Sequence, residues 1–260
     1  MQDLRLTLIQ TPIRWEDPDA ARRDLDLLLD GISGPVDLIV LSEMFTTGFS
    51  MESHRLAEAM DGPSIRWMQF QAERLSALIL GSLIIREGEA IYNRCICAFP
   101  DGRILHYDKA HLFTLAGEQL HYSRGRERLV FEYLGWRISP FICYDLRFPV
   151  WLRNTADIDL MVGVAQFPER RRKAWMSLLP ARAIENVCYV AGVNGLGTDG
   201  NGITYSGDSG LWDYEGEQIL NLQSQTGSLS AILSYEKLKA FRRAYPFLKD
   251  RDGFEWRDRA

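Results

Sequence analysis

Two apolar runs constrain this chain more than any other feature. Val36 to Leu41 (VDLIVL) and Leu78 to Ile85 (LILGSLII) are nearly unbroken in hydrophobic character. Each falls far short of the roughly 18 residues a membrane helix needs, and each has the profile of a strand buried on both faces. Helical spacing separates them, with Ile65, Met68, Ala72 and Leu75 forming one apolar stripe after Pro63. Ahead of the first run, Leu4, Leu6 and Leu8 alternate with Arg5 and Thr7 as in a half-buried strand. Asp17-Pro18 then reads as an N-cap and first helical residue, Ala21, Leu25 and Leu28 keep helical spacing, and Gly31 closes the segment. A strand-helix-strand-helix-strand rhythm of this kind implies stacked α/β layers.

The alternation persists downstream. Ile91 to Phe99 and Arg103 to Tyr107 flank Asp101-Gly102, a hairpin signal. Phe131 to Cys143 reads as two strands turning at Gly135, Leu160 to Ala165 as another, and Ala174 to Glu185 as a helix leading into the strand 187–193. A glycine-rich stretch, Gly195 to Gly210, precedes strands at 211–214, 218–222 and 229–233, then a short helix from Tyr235. Neither a repeat nor a linker divides the 260 residues, so one domain is expected over 1–260, with a short polar tail from about residue 244.

Composition narrows the function. Thirty Lys and Arg against thirty-five Asp and Glu give a net charge of −5, the wrong sign for a nucleic-acid binder. The first ten residues lack a basic start and an apolar stretch, so no export signal and no membrane segment are expected, and a cytoplasmic location follows. Cys95, Cys97, Cys143 and Cys188 lack the paired spacing of a zinc site, so neither metal nor cofactor is expected. A reducing compartment suits them.

A free cysteine usually behaves as a small buried hydrophobe, and Cys95, Cys97 and Cys188 fit that description. Cys143 differs. It ends an apolar strand in FICYDLRFP, just where the chain turns polar. Glu43 ends the run LIVLSEMF, and Lys109 follows a hairpin strand in ILHYDKAHLF. Strand ends are where layered α/β sheets gather their ligands. A thiol, a carboxylate and an ammonium together suit acyl transfer: the carboxylate takes the thiol proton, sulfur attacks a carbonyl, and the lysine stabilises the oxyanion.

Five segments together resemble the carbon–nitrogen hydrolases of the nitrilase superfamily over nearly the whole chain. They are LIVLSEMFTTGF around Glu43, YDKAHLF around Lys109, FICYDLRFP around Cys143, RAIENVCYV at 182–190 and GDSGLWDYEGEQIL at 207–220. The resemblance implies a four-layer α-β-β-α sandwich, a Glu43-Lys109-Cys143 triad, no cofactor, and association as homodimers or larger homo-oligomers. It also implies a second glutamate after the lysine motif, which Glu118 in LAGEQLHYSRG matches. The backbone N–H of Tyr144 is the expected second oxyanion donor.

The wording LSEMFTTGFSM is similar to the omega-amidase branch, which hydrolyses the side-chain amides of 2-oxo acids such as 2-oxoglutaramate and 2-oxosuccinamate. Where many relatives place Pro before the glutamate this chain has Ser42, a departure that bears on substrate range. An anionic substrate needs a cation, because a desolvated carboxylate without a partner is costly. Arg170, Arg171 and Arg172 offer one, followed by Lys173. Phe45, Phe49 and His111 are expected to border the pocket. Arg147 is expected to be buried and paired with Asp145, because Pro149 stands where a phosphate loop would need an arginine. Two alternatives stay open at this point: another branch of the superfamily acting on nitriles, N-carbamoyl compounds or neutral amides, and a binding protein without catalysis.

Overall fold

The computed structural model describes residues 2–255, so residues 256–260 of the expected tail lie outside the described residues. The first half contains β1 (Leu4–Gln10), α1 (Pro18–Asp30), β2 (Leu38–Val40), α2 (Ser53–Leu56), α3 (Pro63–Leu75), β3 (Leu78–Glu87), β4 (Ala90–Ala98) and β5 (Ile104–Asp108). The second half contains β6 (Phe131–Tyr133), β7 (Trp136–Ile142), β8 (Leu160–Ala165), α4 (Arg172–Asn186), β9 (Tyr189–Asn194) and β10 (Leu196–Thr198). It continues with β11 (Thr204–Ser206), β12 (Gly210–Trp212), β13 (Gln218–Asn221), β14 (Gly227–Leu233) and α5 (Tyr235–Ala244).

One six-stranded sheet runs β14-β1-β2-β3-β4-β5, and the other runs β13-β12-β9-β8-β7-β6. Each is parallel at its centre, through β1-β2-β3 in the first and β7-β8-β9 in the second. Side-chain parity explains why they stack. Leu4, Leu6, Leu8, Leu38, Val40, Leu78, Leu80, Cys95 and Cys97 face a core shared with Trp136, Ile138, Leu160 and Val162 of the second sheet. The intervening residues Ile9, Ile39, Ile79 and Ile96 face Leu25 and Leu29 of α1 and Ile65, Met68 and Ala72 of α3. Period-2 strands buried on both faces thus separate an inter-sheet core from a helix-sheet core. On the far side, Trp175, Leu179 and Ala183 of α4 pack against the second sheet, completing the α-β-β-α sandwich.

The local signals behave as their chemistry requires. Asp17 caps α1 by accepting from the Ala20 N–H at 3.0 Å, with Pro18 at the first helical position and Gly31 at the C-terminus. Gly102 turns the β4-β5 hairpin with φ +85°. Strand β2 is shorter than the apolar run that carries it, because the chain turns away immediately before Glu43. The glycine-rich stretch also contains an unexpected two-stranded ribbon, β10-β11. Among the described residues no helix is long and apolar enough to cross a membrane.

Candidate active site

Cys143 sits directly after β7, where it opens a 3-10 turn over Cys143–Arg147 with a left-handed φ of +43°. A non-glycine residue held there stores strain on the order of 1–3 kcal/mol, tolerated where the surroundings over-determine the geometry. Asp145 supplies much of that determination. Its buried carboxylate accepts from the Ile142 N–H at 3.0 Å, the Tyr107 hydroxyl at 2.7 Å and the His111 N–H at 2.9 Å, with His111 Nδ1 at 2.8 Å. The turn that carries the thiol is thereby tied to the segment that carries Lys109.

Glu43, Lys109 and Glu118 form one buried cluster. Lys109 Nζ donates to Glu43 Oε1 at 2.9 Å and to Glu118 Oε1 and Oε2 at 2.9 and 3.0 Å. Glu118 also accepts from the Phe113 N–H at 2.5 Å. Burial opposes the lysine's charge, but Glu118 and Glu43 more than reverse the effect and hold the ammonium above its ordinary pKa. Burial pushes the Cys143 thiol well up, Glu43 pushes it further, and Lys109 offsets only part. Burial likewise raises the Glu118 carboxyl against the pull of Lys109.

Two residues complete the cluster that sequence reading missed. Asn93, in the middle of β4, donates from Nδ2 to Glu43 Oε1 at 2.7 Å and to Glu118 Oε1 at 3.3 Å. Gln166, just past β8, donates its backbone N–H to Glu43 Oε2 at 2.7 Å and its amide to the Glu43 carbonyl at 3.0 Å. Nothing in the residue types marks either: Asn93 reads as an ordinary strand polar, and Gln166 reaches the carboxylate through a main-chain atom.

The thiol opens into a cavity of about 200 Å³ lined by Phe49, Lys109, Tyr144 and Gln166. Phe49 lies with its ring 5.0 Å from Lys109 Nζ, as expected of a pocket wall. The same cavity is also lined by Arg147, Arg170 and Arg171. Among the described residues none of these three guanidiniums has a carboxylate partner. Arg171 lies over Phe113 at 4.7 Å and over Phe167 at 5.9 Å, and Arg147 lies over the same Phe167 ring at 5.7 Å. Burial and the like charge of Arg170, with Arg147, lower the Arg171 pKa.

Several expectations need correction. Arg147 is exposed on the cavity wall and not paired with Asp145, whose oxygens are taken by backbone and ring donors. Arg172 faces away from the cavity and binds Asp208 at 2.7 and 2.8 Å. It begins α4, whereas Arg171 stands before the helix as its N-cap with non-helical φ −116° and ψ 15°, so the two side chains leave the backbone in different directions. Phe45 is core: its ring meets Trp67 at 5.8 Å and covers Gly81, where a Cβ would come within 2.9 Å of it. His111 stacks on Phe148 at 3.7 Å and borders a neighbouring cleft. Among the described residues no cluster of His, Cys, Asp and Glu is arranged to hold a metal ion.

Comparison with known proteins agrees with this geometry. The sequence pattern of the carbon-nitrogen hydrolases matches residues 5–243. The chain is 48% identical to the omega-amidase YafV of Yersinia enterocolitica over 98% of its own length and 99% of that protein. It is 31% identical to the 2-oxoglutaramate amidase of Bacillus subtilis, covering 94% of this chain and 96% of the relative. Among solved structures, XC1258 of Xanthomonas campestris, a CN-hydrolase superfamily protein with an arsenic adduct in its active site, superposes with a TM-score of 0.96 at 44% identity. That alignment covers 98% of this chain and 100% of XC1258. The pattern, the relatives and the sandwich fold converge: this chain belongs to the carbon-nitrogen hydrolase family of the nitrilase superfamily and is a hydrolase of carbon–nitrogen bonds.

Proposed function

We propose that the chain hydrolyses the side-chain amide of small 2-oxo acids, 2-oxoglutaramate and 2-oxosuccinamate among them, to the dicarboxylic 2-oxo acid and ammonia. One observation carries the reading. The small cavity is lined both by Lys109, whose ammonium is already engaged by two glutamates, and by Arg147, Arg170 and Arg171, which lack counter-charges among the described residues. An amide placed at Cys143 would therefore present a carboxylate at its far end to guanidiniums, whose planar donors match it. The names of the Yersinia and Bacillus relatives support the same substrate class.

In this reading Glu43 takes the thiol proton as sulfur attacks the amide carbon. The oxyanion rests against Lys109 Nζ and the Tyr144 N–H, one of the first amides of a turn that leaves such groups without an internal partner. The C–N bond breaks as Glu43 returns the proton to the leaving nitrogen, giving ammonia and a thioester. Glu43 then deprotonates water, the hydroxide displaces the sulfur, which takes that proton back from Glu43, and the acid departs. Glu118 keeps Lys109 aimed at the oxyanion. Four free cysteines suit a reducing compartment, so the cytoplasm is the proposed location.

Ammonia release from 2-oxoglutaramate and from neutral amides of similar size tests the proposal. The anionic substrate should win, Cys143→Ala should abolish turnover of both, and Arg171→Ala should raise KM for the anionic substrate alone. Arg172→Ala should leave KM unchanged. Faster turnover of neutral amides would overturn the substrate assignment.

A further inference from the structure

Asn93 stands where the catalytic segments meet. Its backbone carbonyl accepts the Lys109 N–H at 3.0 Å, so the strand residue that carries the amide also anchors the lysine. Its Nδ2 donates to Glu43 Oε1 and Glu118 Oε1. Its Oδ1 accepts from Ser82 Oγ at 2.8 Å, and Ser82 Oγ in turn accepts the Met44 N–H at 2.8 Å. Ser82 is held by the same turn from both sides, donating its N–H to the Ser42 carbonyl and accepting from the Phe45 N–H, each at 3.2 Å. Ser42, Glu43, Met44, Phe45, Ser82 and Asn93 are all buried.

The relay has one direction. A main-chain N–H can only donate, so the Ser82 hydroxyl must pass its own proton onward to Asn93 Oδ1. With Oδ1 engaged, Nδ2 faces the two carboxylates. A flipped amide would set an oxygen against two carboxylates and leave the Ser82 proton without an acceptor, both costly in a buried site. Glu43 Oε1 is thus shared by Asn93 and Lys109, whereas Glu43 Oε2 takes the Gln166 N–H.

We propose that Asn93, oriented by Ser82, is a positioning residue that occupies Glu43 Oε1 and so reserves Oε2 as the base for the Cys143 thiol. The proposal rests on the amidase reading for its kinetic arm only. Asn93 touches no substrate, so its loss acts on the chemical step and not on binding. In Asn93→Ala, kcat should fall about tenfold to a hundredfold with KM within about twofold of the parent. Ser82→Ala should give a smaller loss of the same kind. Because both variants break one relay, Asn93→Ala/Ser82→Ala should be no slower than Asn93→Ala alone.

A second readout needs no substrate. The rate of Cys143 alkylation by iodoacetamide, followed by mass spectrometry, should fall in the same order across the three variants. Losses that multiply in the double variant would overturn the proposal, as would a raised KM with unchanged kcat. If Asn93→Ala fails to fold, Ser82→Ala, which removes one oxygen, decides alone: parental kcat and parental alkylation rate would overturn it. Should the parent release no ammonia from any amide, the amidase reading fails while the alkylation series still judges Asn93.

Discussion

Replacing Lys109 by Met separates the electrostatic role of the lysine from its bulk. Methionine keeps the unbranched apolar stem but removes the ammonium, which is fully buried and donates to three carboxylate oxygens at 2.9, 2.9 and 3.0 Å. Glu43 and Glu118 would then share a dry site without a cation. Breaking a buried pair this way typically costs about 3–5 kcal/mol. The loss should depend on pH in a definite direction. Burial already raises the Glu118 carboxyl, Lys109 pulls it down, and Glu43 adds to the rise, so deleting the lysine lifts it further. The folded variant then binds more protons than the unfolded chain. That stability is fully present below the ordinary carboxyl pKa of about 4.5 and is lost as pH rises through the higher folded value. Urea unfolding followed by tryptophan fluorescence, at about pH 5.5 and about pH 8, should show the larger deficit at the higher pH. Adding Glu118→Gln, which cannot ionise, should recover part of the deficit at the higher pH. An equal deficit at both pH values, or a double variant no more stable than Lys109→Met, would refute the reasoning.

Asp145→Asn removes the charge that gathers the Ile142 and His111 N–H groups and the Tyr107 hydroxyl, and should slow ammonia release about tenfold to a hundredfold. Circular dichroism of the variant checks that the sheets remain. Gly195→Ala would place a Cβ 1.9 Å from Gln166 Oε1, so the Gln166 amide must leave the Glu43 carbonyl. A thermal midpoint lowered by the equivalent of about 1–3 kcal/mol and a reduced kcat are expected, and an unchanged midpoint would count against that contact.

The parts legible in the sequence are those where one residue type carries the chemistry and the pattern fixes its place. Glu43, Lys109 and Cys143 end or follow apolar strand patterns, and strand ends converge in stacked sheets whatever the loops do. Parity did the same for Cys95 and Cys97, which face the inter-sheet core as their spacing implied. What stayed hidden depends on direction. Phe45 and Phe49 lie four residues apart in one turn, yet one ring enters the core and the other the cavity, because Met44 and Gly48 take left-handed φ values of +41° and +72°. Arg171 and Arg172 diverge because a helix begins between them. Gln166 acts through a main-chain N–H across 123 residues of sequence, and side-chain identity carries no record of such a bond.

The charge balance of the cluster argues for a thiol that stays protonated until substrate arrives. Glu43 and Glu118 accept only from donors, so both act as carboxylates beside a single ammonium. The buried group thus carries one net negative charge before any thiolate forms. Ionising Cys143 outright would add a second charge to a dry site, and burial with Glu43 accordingly holds the thiol well above its ordinary pKa. Moving the proton from sulfur to Glu43 avoids that cost, because the negative charge only changes place within the group. Attack on a carbonyl then transfers it to an oxygen that Lys109 and the Tyr144 N–H can hold. Alkylation of Cys143 should therefore be slow at neutral pH compared with a cysteine whose thiolate forms freely, and an alkylation rate matching that of an exposed low-pKa thiol would contradict this account.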